Sequence, residues 1–232
     1  MGIETEKKGF EDIKAEYNHL YETDVIRDED RAYRWFAGVV YKETVPAARI
    51  LDIACGAGFF LRELAAASPG GNVSLTGIDI SDKAIELARK ECPGADYRIS
   101  VAETLCFSDC YFDAVTCLGS LEHFIDIPNS LKEMNRVIRP GGRVFILVPN
   151  MFWYKDILAV LLSGDKRTRN QTHEKFATRR DWMQLIEASG LAILKTIKYN
   201  GIAKSALKQA VKDLVVPLNL SYHFLFVCTK KD

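Results

Sequence analysis

The stretch from 50 to 64, ILDIACGAGFFLREL, limits the chain more than any other. A short apolar run meets an acid, passes a turn holding two glycines and resumes at once as an amphipathic segment. That is a strand feeding a helix through a turn of bare backbone. Gly56 and Gly58 let the chain turn tightly and let a ligand approach with no Cβ in the way, while the first amides of the helix point toward it. The question is which ligand.

The rhythm of strand and helix then repeats along the chain. Strands are expected at 49–53, 73–79, 96–100, 112–118 and 143–149, and helices at 58–67, 81–91 and 129–138. Ser81 suits an N-cap, Asp82 a first turn, and Arg89 and Lys90 a last turn, where they oppose the helix dipole. RPGG at 139–142 supplies a stop. Short apolar strands alternating with helices predict an α/β fold: a Rossmann-like, mostly parallel sheet with helices on both faces. Beyond 150 the rhythm breaks. Residues 151–177 resemble a substrate-side insertion made of an apolar helix and a basic loop. Thr178 with Asp181 forms a capping-box pattern that opens a helix ended by Gly190. Strands are expected near 191–198 and 221–229, and a last pair of this kind closes such a sheet with an antiparallel C-terminal strand. Residues 1–48, charged and aromatic at helical spacing, are expected to form a helical lid, and 49–232 the main domain.

Charge and cysteines exclude several classes. Lys and Arg total 31 against 31 acids, so no overall field attracts a polyphosphate backbone and no nucleic-acid partner is expected. No run reaches the length of a membrane span and the start lacks a secretory apolar segment, so the expected location is cytoplasmic, with at most peripheral membrane contact. The six cysteines form no CxxC pair and no zinc spacing, so reduced thiols and no metal are expected. Cys117 and Cys228, in apolar runs, read as small core residues.

Asp79 ends the second strand 21 residues after Gly58, where a carboxylate reaches both hydroxyls of a ribose. The dinucleotide fingerprint wants a small residue at 61, and leucine stands there, opposing a nicotinamide oxidoreductase and favouring a nucleoside without a pyrophosphate.

LDIACGAG, GIDIS, AETLCFSDCYFDAVTCLGSLEHF and LKEMNRVIRPGGRVFILVPN together resemble, in order and at usual separations, the motifs of class I S-adenosylmethionine-dependent methyltransferases of the small-molecule type, over about residues 49–150. The resemblance implies S-adenosyl-L-methionine as cofactor. It implies that Asp52, Gly56 and Gly58 line its methionine and ribose part, with backbone contacts from Ala54 and Cys55. Asp79 would bind the ribose hydroxyls, Ile80 would pack on the adenine, Ala102 and Glu103 would edge it, and Leu118 and Gly119 would face the sulfonium. Val101 stands where the family often has an aspartate.

Methyl transfer from a sulfonium is an in-line displacement on an activated donor, so alignment is the main task, and a neutral oxygen or nitrogen acceptor also needs a base. His123, after the fourth strand, and His173, in the insertion, are the candidates. Tyr17, Tyr21, Trp35 and Phe36 read either as an aromatic lid or, for the last two, as a helix face buried on the sheet. A basic cluster that includes Arg167 and Arg169 is either a solvated face or a partner for an anionic acceptor. Beside the apolar MFWYKDILAVLL it suits a small acceptor, anionic or lipid-linked, most simply methylated at oxygen. A non-catalytic cofactor-binding partner subunit and a nucleic-acid methyltransferase are the alternatives. The acceptor and the oligomeric state are not legible.

Overall fold

A computed structural model describes residues 9–23, 30–44, 48–68, 70, 73–164, 175, 177–203 and 205–231. Its strands are β1 (Arg49–Ile53), β2 (Ser74–Asp79), β3 (Asp96–Ile99), β4 (Phe112–Leu118), β5 (Ile138–Pro149), β6 (Leu191–Tyr199) and β7 (His223–Lys230). They form one sheet in the order β3-β2-β1-β4-β5-β7-β6. The pairs among β1 to β5 are parallel, and β7 runs antiparallel to both β5 and β6, as the alternating pattern predicts. The helices are α1 (Phe10–Thr23), α2 (Asp30–Glu43), α3 (Phe59–Ala67), α4 (Asp82–Glu91), α5 (Ile127–Val137), α6 (Tyr154–Ser163), α7 (Arg179–Ala188) and α8 (Ala206–Val215).

Two boundaries shift for local reasons. Helix α5 opens two residues before the expected start, because the Asp126 side chain accepts from the Asn129 amide at 3.0 Å and Pro128 fits a first helical turn. Strand β5 begins at Ile138, which pairs with Phe112, so RPGG lies inside the strand across an irregularity in the ladder.

Strand alternation sorts the core onto the two faces of the sheet. Leu51, Ile53, Val115, Val144, Ile146, Val148 and Phe226 pack with Leu131 and Met134 of α5 and Trp182 and Ile186 of α7. Ile50, Ala114, Phe145, Leu147 and Leu225 pack on the other face with Leu61 and Leu64 of α3, Ile85 and Ala88 of α4, and Ala32, Phe36, Ala37 and Val40 of α2. Cys117 and Cys228 are buried in the first cluster. Helix α2 is therefore core, whereas α1 buries no residue fully. Trp35 and Phe36 take the second of their two readings: their rings lie 5.3 and 4.8 Å from that of Tyr199 on β6, anchoring α2 to the sheet.

Gly77, in the middle of β2, is needed by its neighbours. A Cβ there would sit 2.8 Å from Cys55 Sγ and 2.9 Å from Leu61 Cδ1 and Tyr97 Cδ1. The missing side chain on the strand makes room for the leucine that the dinucleotide pattern would forbid.

Candidate functional site

The turn after β1 is built from left-handed backbone at alternate positions, with φ of 57° at Ala54, 54° at Gly56 and 82° at Gly58. For alanine this conformation is uncommon, and it is held by bonds on either side: Cys55 N donates to Ile78 O at 2.9 Å and Gly58 N to Cys55 O at 3.0 Å. The two glycines serve different neighbours. A Cβ on Gly58 would meet Ala88 and the Tyr97 hydroxyl at 3.1 Å, so its bareness lets α3 sit against α4 and β3. A Cβ on Gly56 would meet the Tyr21 hydroxyl of α1 at 2.6 Å.

Asp79 is the electrostatic centre. Its Oδ2 accepts from Gly56 N and its Oδ1 from Ser81 N, each at 2.9 Å. Burial raises its pKa to about 6, against the pull of the Ser81, Gly56 and Ile80 amides. Near neutrality it is an anion with about four acceptor positions, two of them filled by backbone. Asp52, buried behind the turn, accepts from the Thr116 hydroxyl at 2.6 Å. Burial raises it to about 7, opposed by the Thr116 bond and reinforced by the Asp79 charge. The Cys55 thiol is pushed well up by burial, then by Asp79 and Asp52, so it stays protonated and unreactive.

Over this turn lies α1. Phe10, Ile13, Tyr17 and Tyr21, spaced three and four apart, line a cleft with one face of that helix. Burial and the Asp79 charge raise both phenols above their ordinary range, keeping them neutral hydrogen-bond donors. The helix is pinned by polar contacts: Asn18 Oδ1 accepts from the Ser81 hydroxyl at 2.7 Å, and Lys14 pairs with Asp82 at 3.0 Å.

The cleft holds about 820 Å³ of empty space, with open solvent at its mouth included. Of the expected cofactor residues, Ala54, Asp79, Ile80, Ala102, Glu103 and Gly119 line it, while Asp52, Cys55, Gly56, Gly58 and Leu118 stand behind or beside it. The Leu118 side chain packs on the α2 side of the core. Glu103 is buried and its Oε1 accepts from Ile125 N at 3.0 Å and Asp126 N at 3.3 Å, so it fastens the loop after β4. That loop carries His123, which lines the cleft together with Ser120, Phe124 and Ile125. His173, Arg167 and Arg169 lie outside the described residues. The missed lining residues Phe10 and Ile13 were visible as extensions of the Tyr17 and Tyr21 stripe. Among the described residues no group of His, Cys, Asp and Glu could hold a metal ion.

A nucleoside fits these residues. Two free acceptor positions on a buried carboxylate match two vicinal hydroxyls, Ile80 and Ala102 supply apolar walls for a base, and no lysine or arginine among the described residues lines the cleft to hold a phosphate.

Comparison with known proteins agrees. Residues 51–146 match the family model described as a methyltransferase domain. Over 124 residues the chain is 39% identical to the ubiquinone/menaquinone biosynthesis C-methyltransferase UbiE of Geotalea daltonii, covering 51% of this chain. The match spans about half the length of that relative, 52%. Over 214 residues it is 28% identical to the ubiquinone biosynthesis O-methyltransferase of Thiobacillus denitrificans, covering 88% of this chain and 87% of the other. The fold also resembles that of the [4+2]-cyclase SpnF, with a TM-score of 0.69 and 16% identity over 97% of each chain. The matched segment is thus a methyltransferase domain, of the S-adenosylmethionine-dependent family.

Proposed function

Starting from a chain whose residues 51–146 are a methyltransferase domain, we propose that it transfers a methyl group from S-adenosylmethionine to a small, lipid-linked ring acceptor of the ubiquinone or menaquinone precursor class. The observation that carries the reading is Asp79: a buried carboxylate at the end of β2, oriented by the Gly56 and Ser81 amides toward a cleft with apolar walls. The acceptor class is taken from the two relatives, one a C- and one an O-methyltransferase. Both carbon and oxygen therefore stand as acceptor atoms, and oxygen alone is not preferred.

When bound, the cofactor supplies an electrophilic methyl on a sulfonium. The chain positions and shields it. Asp79 accepts from the ribose hydroxyls, Ile80 and Ala102 flank the adenine, and Gly119, at φ 69°, keeps the end of β4 free of side chain where the acceptor approaches. The α1 face excludes water from the cleft. His123 is the imidazole on the cleft wall, and in this reading it takes the proton from an oxygen acceptor. Fold alone does not establish transfer, since a structural neighbour is a cyclase.

The test is calorimetric titration of wild type and Asp79→Ala with S-adenosylmethionine, and in parallel with NADH. Losing the ribose bonds costs ~1 to 3 kcal/mol, roughly tenfold to over a hundredfold in affinity. Wild type that ignores the sulfonium or prefers NADH overturns the reading.

A further inference from the structure

Helix α8 is amphipathic the wrong way round. Two of its polar side chains reach the preceding segment, where Gln209 Oε1 accepts from Ala203 N at 2.7 Å and Lys212 Nζ donates to Asn200 O, and Gln209 Nε2 donates to Asp213 Oδ2 along the helix at 2.9 Å. Lys198 of β6 fastens the helix end through the carbonyls of Asp213 and Val216. The apolar stripe Leu207, Val211, Leu214 and Val215, spaced four, three and one apart, faces out, with Leu207 77% and Leu214 85% exposed. A helix folded only for solvent does the opposite.

Helix α6 behaves likewise. It has no buried residue, and Leu161 and Leu162 are 74% and 84% exposed, with Leu158 and Val160 also exposed. Helix α6 follows β5 and helix α8 follows β6. Both also leave the same end of the sheet. Pro149, which closes β5, pairs with His223, and His223 pairs with Tyr199, which closes β6. That is the carboxyl end of the parallel strands, where the cleft opens. Met151 and Phe152, exposed on the way from β5 to α6, extend the apolar surface toward it.

Charge and composition select the occupant. Lys155 and Lys208 are exposed and Lys212 half-buried, while the acids of the two helices, Asp156 and Asp213, are both half-buried and Asp213 bonds Gln209 of its own helix. The exposed large apolar residues of the two helices are all leucine and valine, and leucine and valine are scarce in protein–protein hot spots, where Trp, Tyr and Arg dominate. Hydrocarbon needs no shape match, and lysines beside it meet anionic headgroups. No helix among the described residues is long and apolar enough to cross a membrane, so the contact is one of lying on the surface.

We propose that the α6 and α8 end of the molecule is a peripheral docking face for an anionic lipid bilayer, seating the leucines at the acyl boundary and the lysines among headgroups. The inference goes beyond the methyl-transfer reading and does not depend on which acceptor is used.

The experiment is co-sedimentation of the full chain with phosphatidylcholine vesicles, with and without phosphatidylglycerol. The variants are Leu207→Gln/Leu214→Gln and Lys155→Glu/Lys208→Glu. Wild type is expected to pellet with the anionic vesicles and to be released by salt, and each variant to bind them roughly tenfold or more weakly. Unfolding midpoints and S-adenosylmethionine affinity, read on the same samples, should stay at the wild-type value, because no mutated residue touches the cleft or the core. Failure of the methyl-transfer reading would instead appear in the affinity measurement alone. Wild type that stays in the supernatant with both vesicles, or a double-glutamine variant that binds as well as wild type, overturns the proposal. So does a wild-type dimer that the double-glutamine variant turns into a monomer, which would assign the face to a second copy.

Discussion

Gly56→Ala separates two costs that the structure places on one atom. The first is backbone: φ at 56 is 54°, a left-handed conformation that costs an alanine about 1 to 2 kcal/mol. The second is the packing of α1: the new Cβ would stand 2.6 Å from the Tyr21 hydroxyl but 3.7 Å, an ordinary contact, from Tyr21 Cζ. Relieving the first distance needs a movement of roughly 1 Å toward normal carbon separations. The turn is held by buried bonds, whereas α1 has no fully buried residue, so α1 is the part that yields. A shift of that size stretches the 2.7 Å bond between Ser81 and Asn18 beyond use, a loss of about 1 kcal/mol. Gly56→Ala should therefore lose about 2 to 3 kcal/mol by urea unfolding and bind S-adenosylmethionine more weakly. Adding Tyr21→Phe removes the colliding atom, so the double variant should recover the packing part but not the φ part, a coupling of at least ~0.5 kcal/mol. An identical Gly56→Ala penalty with and without the Tyr21 hydroxyl would refute the contact between α1 and the turn.

Further expectations use the same measurements. Gly77→Ala places a Cβ within 2.9 Å of three core neighbours and should cost about 1 to 3 kcal/mol, and less when introduced into a Leu61→Ala background, where one of those neighbours is gone; equal stability of Gly77→Ala and wild type would refute the packing. Asp52 has a folded pKa of about 7 against an ordinary 3.8, so between those values the folded state holds a proton that the unfolded state has lost, and stability falls as pH rises through that window. Asp79 acts in the same sense up to about pH 6. Asp52→Asn should flatten this slope in thermal melts without ligand and stabilise the protein at about pH 8 more than at about pH 5. Glu103→Gln keeps an acceptor for the Ile125 and Asp126 amides and should be mild, whereas Glu103→Ala should cost ~1 to 3 kcal/mol in unfolding and weaken cofactor binding by loosening the loop that carries His123.

The strands of the first half were legible because each is short, apolar and bounded by turn residues, and β4 begins and ends where its pattern does. Asp79 was legible from its spacing to the glycine turn. The reasons for the glycines were not, since nothing local connects Gly58 with Ala88 or Gly56 with Tyr21, 35 positions earlier. Glu103 was equally opaque: its partners are amides more than 20 residues on, and backbone donors leave no trace in a sequence. The polarity of α8 was not legible either. Its apolar spacing is plain, but the usual inference that such a stripe faces the core puts it on the wrong side.

The N-terminal region divides between its two helices. Helix α2 contributes Phe36, Ala37 and Val40 to the sheet's core, while α1 touches the rest through a phenol, an amide cap and surface ions. The first helix can therefore change between related chains without loss of the scaffold, reshaping the cleft wall made by Phe10, Ile13, Tyr17 and Tyr21. The second could not be lost without the scaffold, so substitutions in α1 are expected to alter the cleft at little cost to folding, and those in α2 to lower solubility first.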